Sequence, residues 1–184
     1  MDKIDVRELV SRYETWLDKN QPALLAELNI PASNDQIDKL EALTGGKLPD
    51  SYSRFLKLHN GQKPESQALV IDGNEEWLST ERTAEEWLIW KSLLDSGEFE
   101  GNPSDPETGI KNDWWNPRWI PITSNHAGDH ICIDLDPAPG GKYGQVITMF
   151  HDSGERKLLA NSFGEWFSGF VDNLEKTGIQ DPRL

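Results

Sequence analysis

Cysteine is the scarcest residue in this sequence. Cys132 is the single cysteine in a chain of 184 residues. One thiol cannot close an intramolecular disulfide, and this chain alone cannot supply a zinc site made of several thiolates. Nothing in the cysteine content therefore requires an oxidising compartment.

Long apolar runs are missing as well. No run approaches the roughly 18 to 20 residues that cross a bilayer, and the first residues, MDKIDVRELV, lack the charged and then apolar profile of a secretory signal. We therefore expect a soluble cytoplasmic protein without a membrane partner.

Basic residues are scarce relative to acidic ones. The chain has 18 Lys and Arg against 32 Asp and Glu, a net charge of −14. Such a charge opposes binding to nucleic acid phosphates and attracts a basic partner. Residues 95–136 hold nine acids but only Lys111 and Arg118 as bases, so this segment carries −7, half of the total. It is the first candidate for a partner surface, although the same acidity also serves solubility.

Signatures of nucleophilic catalysis and of phosphate binding are missing too. The chain has no Gly-x-Ser-x-Gly elbow. The glycine-rich run APGGKYG joins two predicted strands instead of opening a helix around a phosphate. We expect no enzyme activity and no cofactor.

Two helices are predicted at the beginning of the chain. Apolar residues at three- and four-residue spacing predict the first over 4–17, ending near Asn20. A capping box of Ser33 with Gln36 opens the second, which ends at the glycine pair 45–46. Its expected buried residues are Ile37, Leu40 and Leu43.

The middle of the chain predicts two more helices around a short strand. One helix begins at Pro49 and ends at the pair 60–61, and the strand is ALVID, 68–72. Thr83 and Glu86 form a second capping box for the next helix. The residues expected inside are Tyr52, Phe55 and Leu56 in the first helix and Trp87, Trp90 and Leu94 in the second.

From residue 119 onward the apolar period changes from 3.6 to 2. A loop over 96–113 precedes four runs of β type, WIPIT, HICIDL, QVITMF and RKLLA, which predict an antiparallel meander. A last helix, opened by a capping box of Ser162 with Glu165, is expected to lie on this sheet. Its predicted buried face consists of Phe163, Trp166, Phe167, Phe170, Val171 and Leu174.

The order of these elements indicates an α+β fold. Helices first, then strands, then a closing helix is not the alternation of a doubly wound fold. We expect a single domain with a central antiparallel sheet (a meander) flanked by N-terminal helices and a C-terminal amphipathic helix.

Strand alternation gathers chemically active side chains on one face of HICIDLD, residues 130–136. Ile131, Ile133 and Leu135 point to one side, and His130, Cys132, Asp134 and Asp136 to the other. Neighbouring side chains on one strand face are roughly 6.5 to 7 Å apart. Two of them cannot both bind one zinc ion unless the strand bends, and further ligands would have to come from elsewhere, for example from His126 or His151. We therefore expect no metal site. A small hydrolase using this face is an alternative, and the commoner case is a polar strand face or a carboxylate that caps a neighbouring turn.

A tryptophan cluster, DWWNPRW, follows the acidic loop. Trp119 heads a strand and is expected in the core. Adjacent residues in extended structure face opposite ways, so at least one of Trp114 and Trp115 should be partly exposed. An exposed tryptophan beside acids suits an interface anchor. The acids assigned to this partner surface are Glu98, Glu100, Asp105, Asp129, Asp134 and Asp136.

Five segments resemble, in order and spacing, the Smi/Knr family of the SUKH superfamily. They are LPDSYSRFLKLHNG, NPRWIPI, GDHICIDLDP, GQVITMF and SFGEWFSGFVDNL. The resemblance covers 33–175, joined into one folded unit with 1–32 and followed by a short tail over 176–184. The signature positions are Leu48, Pro49, Phe55, Leu56, Asn60, Gly61, Trp119, Pro121, Gly128, Gly144 and Val146.

The resemblance implies a function as well as a fold. Family members have a central antiparallel sheet flanked by helices and act by binding proteins. Bacterial members look like immunity proteins that sequester a toxin domain, often a nuclease, and fungal members regulate cell-wall assembly. The resemblance thus implies an immunity-type protein with a basic toxin domain as partner, or alternatively a regulatory adaptor without a toxin. It gives Asp129 and Asp134 the roles of holding a turn and a strand end.

Overall fold

A computed structural model of the chain describes residues 4–64, 75–180 and 183. The helices are α1 (Val6–Asn20), α2 (Pro22–Leu25), α3 (Asn34–Thr44), α4 (Asp50–Leu56), α5 (Thr80–Asp95) and α6 (Phe163–Thr177). The strands are β1 (Glu76–Trp77), β2 (Asp105–Pro106), β3 (Trp119–Pro121), β4 (Thr123–Ser124), β5 (His130–Asp134), β6 (Gln145–Met149), β7 (Glu155–Arg156) and β8 (Leu158–Ala160). The fold is α+β, and the strand predicted at 68–72 lies outside the described residues. None of the helices in these ranges is both long enough and apolar enough to span a bilayer.

Helix α3 follows its sequence signals closely. The Ser33 hydroxyl accepts from the Gln36 amide, the Gln36 side chain accepts from the Ser33 amide, and the helix ends at Gly45. The predicted burial of Leu43 is wrong, since this side chain is exposed and Thr44 takes the inward position. The reason is geometric, because Thr44 lies seven residues after the buried Ile37 and returns to its face, whereas Leu43, six residues after Ile37, is turned away from it.

Helix α5 begins earlier than its predicted capping box. It starts at Thr80, with the Ser79 hydroxyl accepting a helix amide and the Asn60 side chain accepting from the Thr80 amide at 2.8 Å. Thr83 lies inside the first turn, where its hydroxyl donates to a carbonyl of β3 at 3.1 Å. The predicted box of Thr83 with Glu86 is therefore wrong, because a buried neighbour in the sheet uses the threonine hydroxyl.

Strands β3, β5, β6 and β8 form a four-stranded antiparallel sheet in chain order, the predicted meander. The WIPIT run continues past β3 into β4, which leaves this sheet and pairs with β1. The RKLLA run divides between β7 and β8, and β7 pairs in parallel with β2 from the 96–113 loop. That loop is thereby paired with the chain between β6 and β8.

Helix α6 lies on the sheet and presents the buried face that its sequence predicts. All six of its predicted core residues are buried. The helix contacts β6 and β8, and it also contacts α1 and α4. Tyr13 of α1 meets the rings of Phe167 and Phe170 edge to face, with centroids 5.9 and 5.6 Å apart. Helix α1 therefore shares the aromatic core with the part of the chain that resembles the family.

Candidate functional site

The face of β5 that carries His130, Cys132 and Asp134 is buried. In the register of β5 with β6, Cys132 lies opposite Ile147 and His130 opposite Met149. Opposed residues of paired strands point to the same side, so two apolar side chains occupy this face beside the polar ones. This polar face belongs to the core because the neighbouring strand sets apolar side chains beside it, and the Asp134 carboxylate caps the next turn by accepting from the Asp136 amide at 2.8 Å.

His130 and Asp134 are hydrogen-bonded within the protein, and Cys132 is a buried free thiol. The His130 ring is bonded through Nδ1 to a β4 carbonyl at 2.8 Å and through Nε2 to the Trp90 indole at 3.1 Å. Asp134 accepts from the Gln145 side-chain amide at 2.8 Å. Burial raises the pKa of the Asp134 carboxyl and of the Cys132 thiol. Groups so buried cannot meet a substrate, and Asp134 holds a strand end and cannot contact a partner as predicted.

Acidification should destabilise the protein through His130. An indole N–H only donates, so Nε2 accepts and Nδ1 carries the single proton of a neutral ring. Burial lowers the pKa of His130 from its ordinary value. Below about pH 6.5 the unfolded chain therefore binds a proton that the folded protein does not. The free energy of unfolding should fall by up to about 1.4 kcal/mol per pH unit in denaturant melts between about pH 7.5 and 5.

The control for this titration is His130→Gln. The glutamine oxygen can still accept from the Trp90 indole, but the side chain does not titrate. Glu86, at 3.8 Å from His130 Nε2, and Arg82, which pairs with Glu86, are unchanged in the variant. Its stability should vary less with pH than that of the wild type. Equal pH dependence in both proteins would assign the loss to other groups.

Asp129 and Asp136, both predicted to face a partner, are held by their own chain. Asp129 accepts from the His151 backbone amide at 2.9 Å and from its ring at 2.8 Å. Burial favours the neutral acid here, yet these bonds keep the pKa of Asp129 below its ordinary value. Asp136 accepts from Lys111 at 2.5 Å, and this bond lowers its pKa. Asp129 thus holds a turn, and Asp136 holds the 96–113 loop to the end of β5.

Among the described residues, one cluster brings three possible metal ligands together. Oxygen or nitrogen atoms of Asp129, His151 and Asp152 lie within 4.8 Å of one another. The Asp129 carboxylate already accepts the His151 bonds, and the other two residues are exposed. The bonds between Asp129 and His151 explain why these residues lie together, since they link the turn before β5 to the turn after β6.

The signature residues of the resemblance lie at contacts between elements. Gly61 has φ +65°, and a Cβ there would lie 2.4 Å from the backbone of Leu78. Gly144 has φ +83°, and its Cβ would lie 2.7 Å from Pro49. Glycine is therefore needed where the chain after α4 meets the start of α5, and where α4 meets the entry to β6. The remaining apolar signature side chains, Leu48, Phe55, Leu56, Trp119, Pro121 and Val146, are buried, and Gly128 lies in the turn before β5.

The two adjacent tryptophans face different environments, as predicted, although the chain bends at both residues instead of being extended. Trp115 is buried and stacks on Trp90, with centroids 6.3 Å apart. Trp114 is partly exposed, and Trp119 is fully buried. The expectation that at least one of the pair is partly exposed is confirmed. Trp115 cannot be a surface anchor, because its ring is covered by α5.

Trp114 lines a groove of about 420 Å³ between α5 and the loop that follows it. The side chains that line this α5 groove are Glu86, Ile89, Trp90, Leu93, Glu98, Phe99, Asn102, Trp114 and His151, with Gly128 beside them. Glu100 and Asp105 are exposed on the same loop. The structure therefore brings two predicted partner residues, Glu98 and Trp114, into one surface.

Two residues of this groove were not predicted from the sequence to belong to a partner surface. Ile89 and Leu93 are 55% and 37% exposed, and they lie four residues apart on α5. A signal was available, because both are apolar and both fall outside the predicted stripe of Trp87, Trp90 and Leu94, of which the two tryptophans are buried and Leu94 is partly buried. Apolar residues on two faces of one helix indicate that the second face also has something to cover it.

Arg156 packs against Trp114 from the protein interior and hydrogen-bonds to its backbone. Its side chain is buried, and it donates to the carbonyls of Trp114, Ser153 and Glu155. Its guanidinium carbon lies 5.5 Å from the Trp114 ring centre and 5.8 Å from that of Trp119. Burial lowers the pKa of Arg156 to about 10, so the group is still charged at neutral pH. Hydrogen bonds and a cation–π contact thus fix Trp114 at the edge of the sheet.

Comparison with known proteins gives one family and several relatives. Residues 31–169 match the model of the SMI1 / KNR4 family (SUKH-1). The chain is 26% identical over 182 residues to the cell wall biosynthesis/cell cycle regulator smi1 of Schizosaccharomyces pombe, and the match covers 92% of this chain. It is 23% identical over 194 residues to the cell wall assembly regulator SMI1 of Saccharomyces cerevisiae, with 87% of the chain covered. It is 22% identical over 197 residues to the glucan synthesis regulatory protein of Neurospora crassa, with 89% covered.

The relatives are much longer than this chain. The matches span 36% of the S. pombe protein, 38% of the S. cerevisiae protein and 37% of the N. crassa protein. The functions of the unmatched parts of those proteins are therefore not assigned to this chain.

Proposed function

Because the chain belongs to the SMI1 / KNR4 family (SUKH-1), we propose that it is a non-catalytic regulatory module that acts by binding a protein partner. The α5 groove carries this proposal, since apolar side chains there are exposed next to acids. The groups with catalytic potential, His130, Cys132 and Asp134, are buried, and His130 and Asp134 are also hydrogen-bonded within the protein. The proposal keeps the cytoplasm as the location, because a single buried cysteine needs no oxidising environment.

The role of a regulatory adaptor is favoured over that of an immunity protein. The relatives described above are named as regulators of the cell wall and of glucan synthesis. Sequestration of a basic toxin domain is retained as the second candidate, because a net charge of −14 suits a basic partner in either role. Affinity capture with mass spectrometry separates them: a toxin domain as the bound protein supports immunity, and a cell-wall regulator or enzyme supports the adaptor.

Reversing the charge of the acidic loop should slow association with the partner. Changing Glu98, Glu100 and Asp105 to lysine moves the net charge from −14 to −8. Association should become roughly tenfold slower at low salt, and the difference should shrink near about 0.5 M salt as charges are screened. Dissociation should change little, because rim charges act mainly on the encounter. Stopped-flow binding against the captured partner measures both rates.

A matched control separates local steering from overall charge. Changing Glu8, Asp18 and Asp38 to lysine gives the same net charge of −8 from exposed positions on α1 and α3. This variant should associate faster than the loop variant at low salt. Equal slowing in both would reduce the acidity of the loop to a general property of the surface.

Trp114→Ala should have the opposite kinetic effect. An aromatic anchor that is buried in the complex resists separation, so its loss should speed dissociation at any salt concentration. Trp115→Ala is unsuitable as a test of the surface, because Trp115 belongs to the core. An unchanged dissociation rate for Trp114→Ala in a correctly folded variant would move the partner surface away from this groove.

A further inference from the structure

We propose that the occupant of the α5 groove is a short segment of the partner in which apolar side chains are flanked by lysine or arginine. This inference rests on the proposed function and specifies the chemistry of the partner. Three features of the groove support it, namely its apolar wall, the sign of its charges and the fixed position of its aromatic residues.

The apolar wall of the groove indicates that apolar side chains of the partner make the main contact. Ile89 and Leu93 point along the same face of α5, because residues four apart lie one turn above each other. They are 55% and 37% exposed, and Phe99 and Trp114 line the same groove. Apolar surface concentrated in a concave site gains free energy when another apolar group removes it from water. A polar chain would leave this wall uncovered.

The charges around the groove select positive flanking residues. Glu98 and Glu86 line it, the latter already in an ion pair with Arg82, and no lysine or arginine lines the groove within the described ranges. Asp129 and Asp152 adjoin the His151 side of the groove. A segment with acidic flanks would be repelled, whereas lysine or arginine flanks meet carboxylates on more than one side.

The aromatic residues of the groove are held in place before any partner arrives. The Trp90 indole donates to His130, and its ring lies against Phe99 with centroids 5.6 Å apart. Trp114 rests on the buried Arg156. A site whose side chains are already fixed loses little conformational entropy on binding, which favours recognition of a short segment.

Peptide binding to the full chain tests the inference. The probe is a fluorescently labelled synthetic peptide with leucine and phenylalanine at helical three- and four-residue spacing and lysine elsewhere. A second peptide has glutamate in place of every lysine. Fluorescence anisotropy gives the Kd for the wild type, Ile89→Gln, Leu93→Gln and Leu88→Gln.

Leu88→Gln is the matched control. Leu88 is 50% exposed on the same helix but does not line the groove, and glutamine keeps both helix propensity and net charge. The Kd of the lysine peptide should rise about tenfold in Ile89→Gln and in Leu93→Gln, and stay within about twofold in Leu88→Gln. The glutamate peptide should bind at least tenfold more weakly than the lysine peptide to the wild type.

Three results would overturn the inference. They are equal binding of the two peptides, equal loss in all three variants, or no loss in Ile89→Gln and Leu93→Gln. The proposed function is judged separately, by the kinetics of the captured partner with the loop variant and Trp114→Ala. If those kinetics change as expected while the peptide results fail, the module still binds its partner, but through other contacts than an apolar segment with basic flanks.

Discussion

Phe167→Ala should lower the free energy of unfolding by about 3 to 5 kcal/mol. Phe167 is fully buried in the middle of α6, and its ring contacts those of Tyr13, Phe55 and Trp77 at centroid distances of 5.2 to 6.0 Å. These partners come from three other parts of the chain. The cavity left by alanine therefore loosens α1, α4 and β1 together, and close packing allows little collapse to fill it.

A denaturant melt of the variant measures this loss directly. Lys176→Ala, at an exposed position in the last turn of the same helix, is the control and should stay within about 0.5 kcal/mol of the wild type. Phe167→Leu should fall between the two, because leucine fills part of the volume. A change near zero for Phe167→Ala would mean that α6 does not cover the core with this face.

Arg156→Met should be the second most damaging change, with an expected loss of about 3 kcal/mol. Methionine replaces much of the aliphatic stem but leaves the carbonyls of Trp114, Ser153 and Glu155 without this donor. A buried acceptor left without a partner costs about 1 to 3 kcal/mol. Trp114 and Ser153 are only partly buried and Glu155 is exposed, so water replaces part of the lost bonding and the total stays near the cost of one or two such acceptors. Removing a buried charge offsets part of this loss, since its own desolvation is unfavourable.

Arg156→Lys distinguishes the hydrogen bonds from the charge. Lysine retains the positive charge but not the planar fork that reaches several carbonyls at once. It should lose a substantial part of the stability that methionine loses, as read from denaturant melts of both variants. Wild-type stability in Arg156→Lys would show that charge alone fixes this site, and wild-type stability in Arg156→Met would show that neither contributes.

Local signals in the sequence determined where several elements begin and end. The Ser33 and Gln36 box, the end of α3 at Gly45 and the buried face of α6 depend on residues a few positions apart. Such interactions have the same geometry in any fold that contains the helix, so periodicity and caps suffice to predict them. The net charge and its concentration in 95–136 likewise need no structure. The family followed from motifs spread along the chain, because their order and spacing are themselves properties of the sequence.

Tertiary structure alone decided which chemically active residues are accessible. Alternation placed His130, Cys132 and Asp134 on one face of β5, but that face became core only because the register with β6 set Ile147 and Met149 beside them. At the start of α5, the local cap of Ser79 is joined by Asn60, which lies 20 residues before the helix and accepts from the Thr80 amide. Neither contact has a local sequence signal.

The α5 groove is a further outcome of tertiary structure. Ile89 and Leu93 lie on a helix, Glu98 and Trp114 on the chain that follows it, and His151 beyond β6. The sequence determined that these residues are apolar, acidic or aromatic. It could not determine that they line one surface, because their proximity depends on how α5 packs against the sheet and on how β2, Asp136 and Arg156 hold the intervening chain.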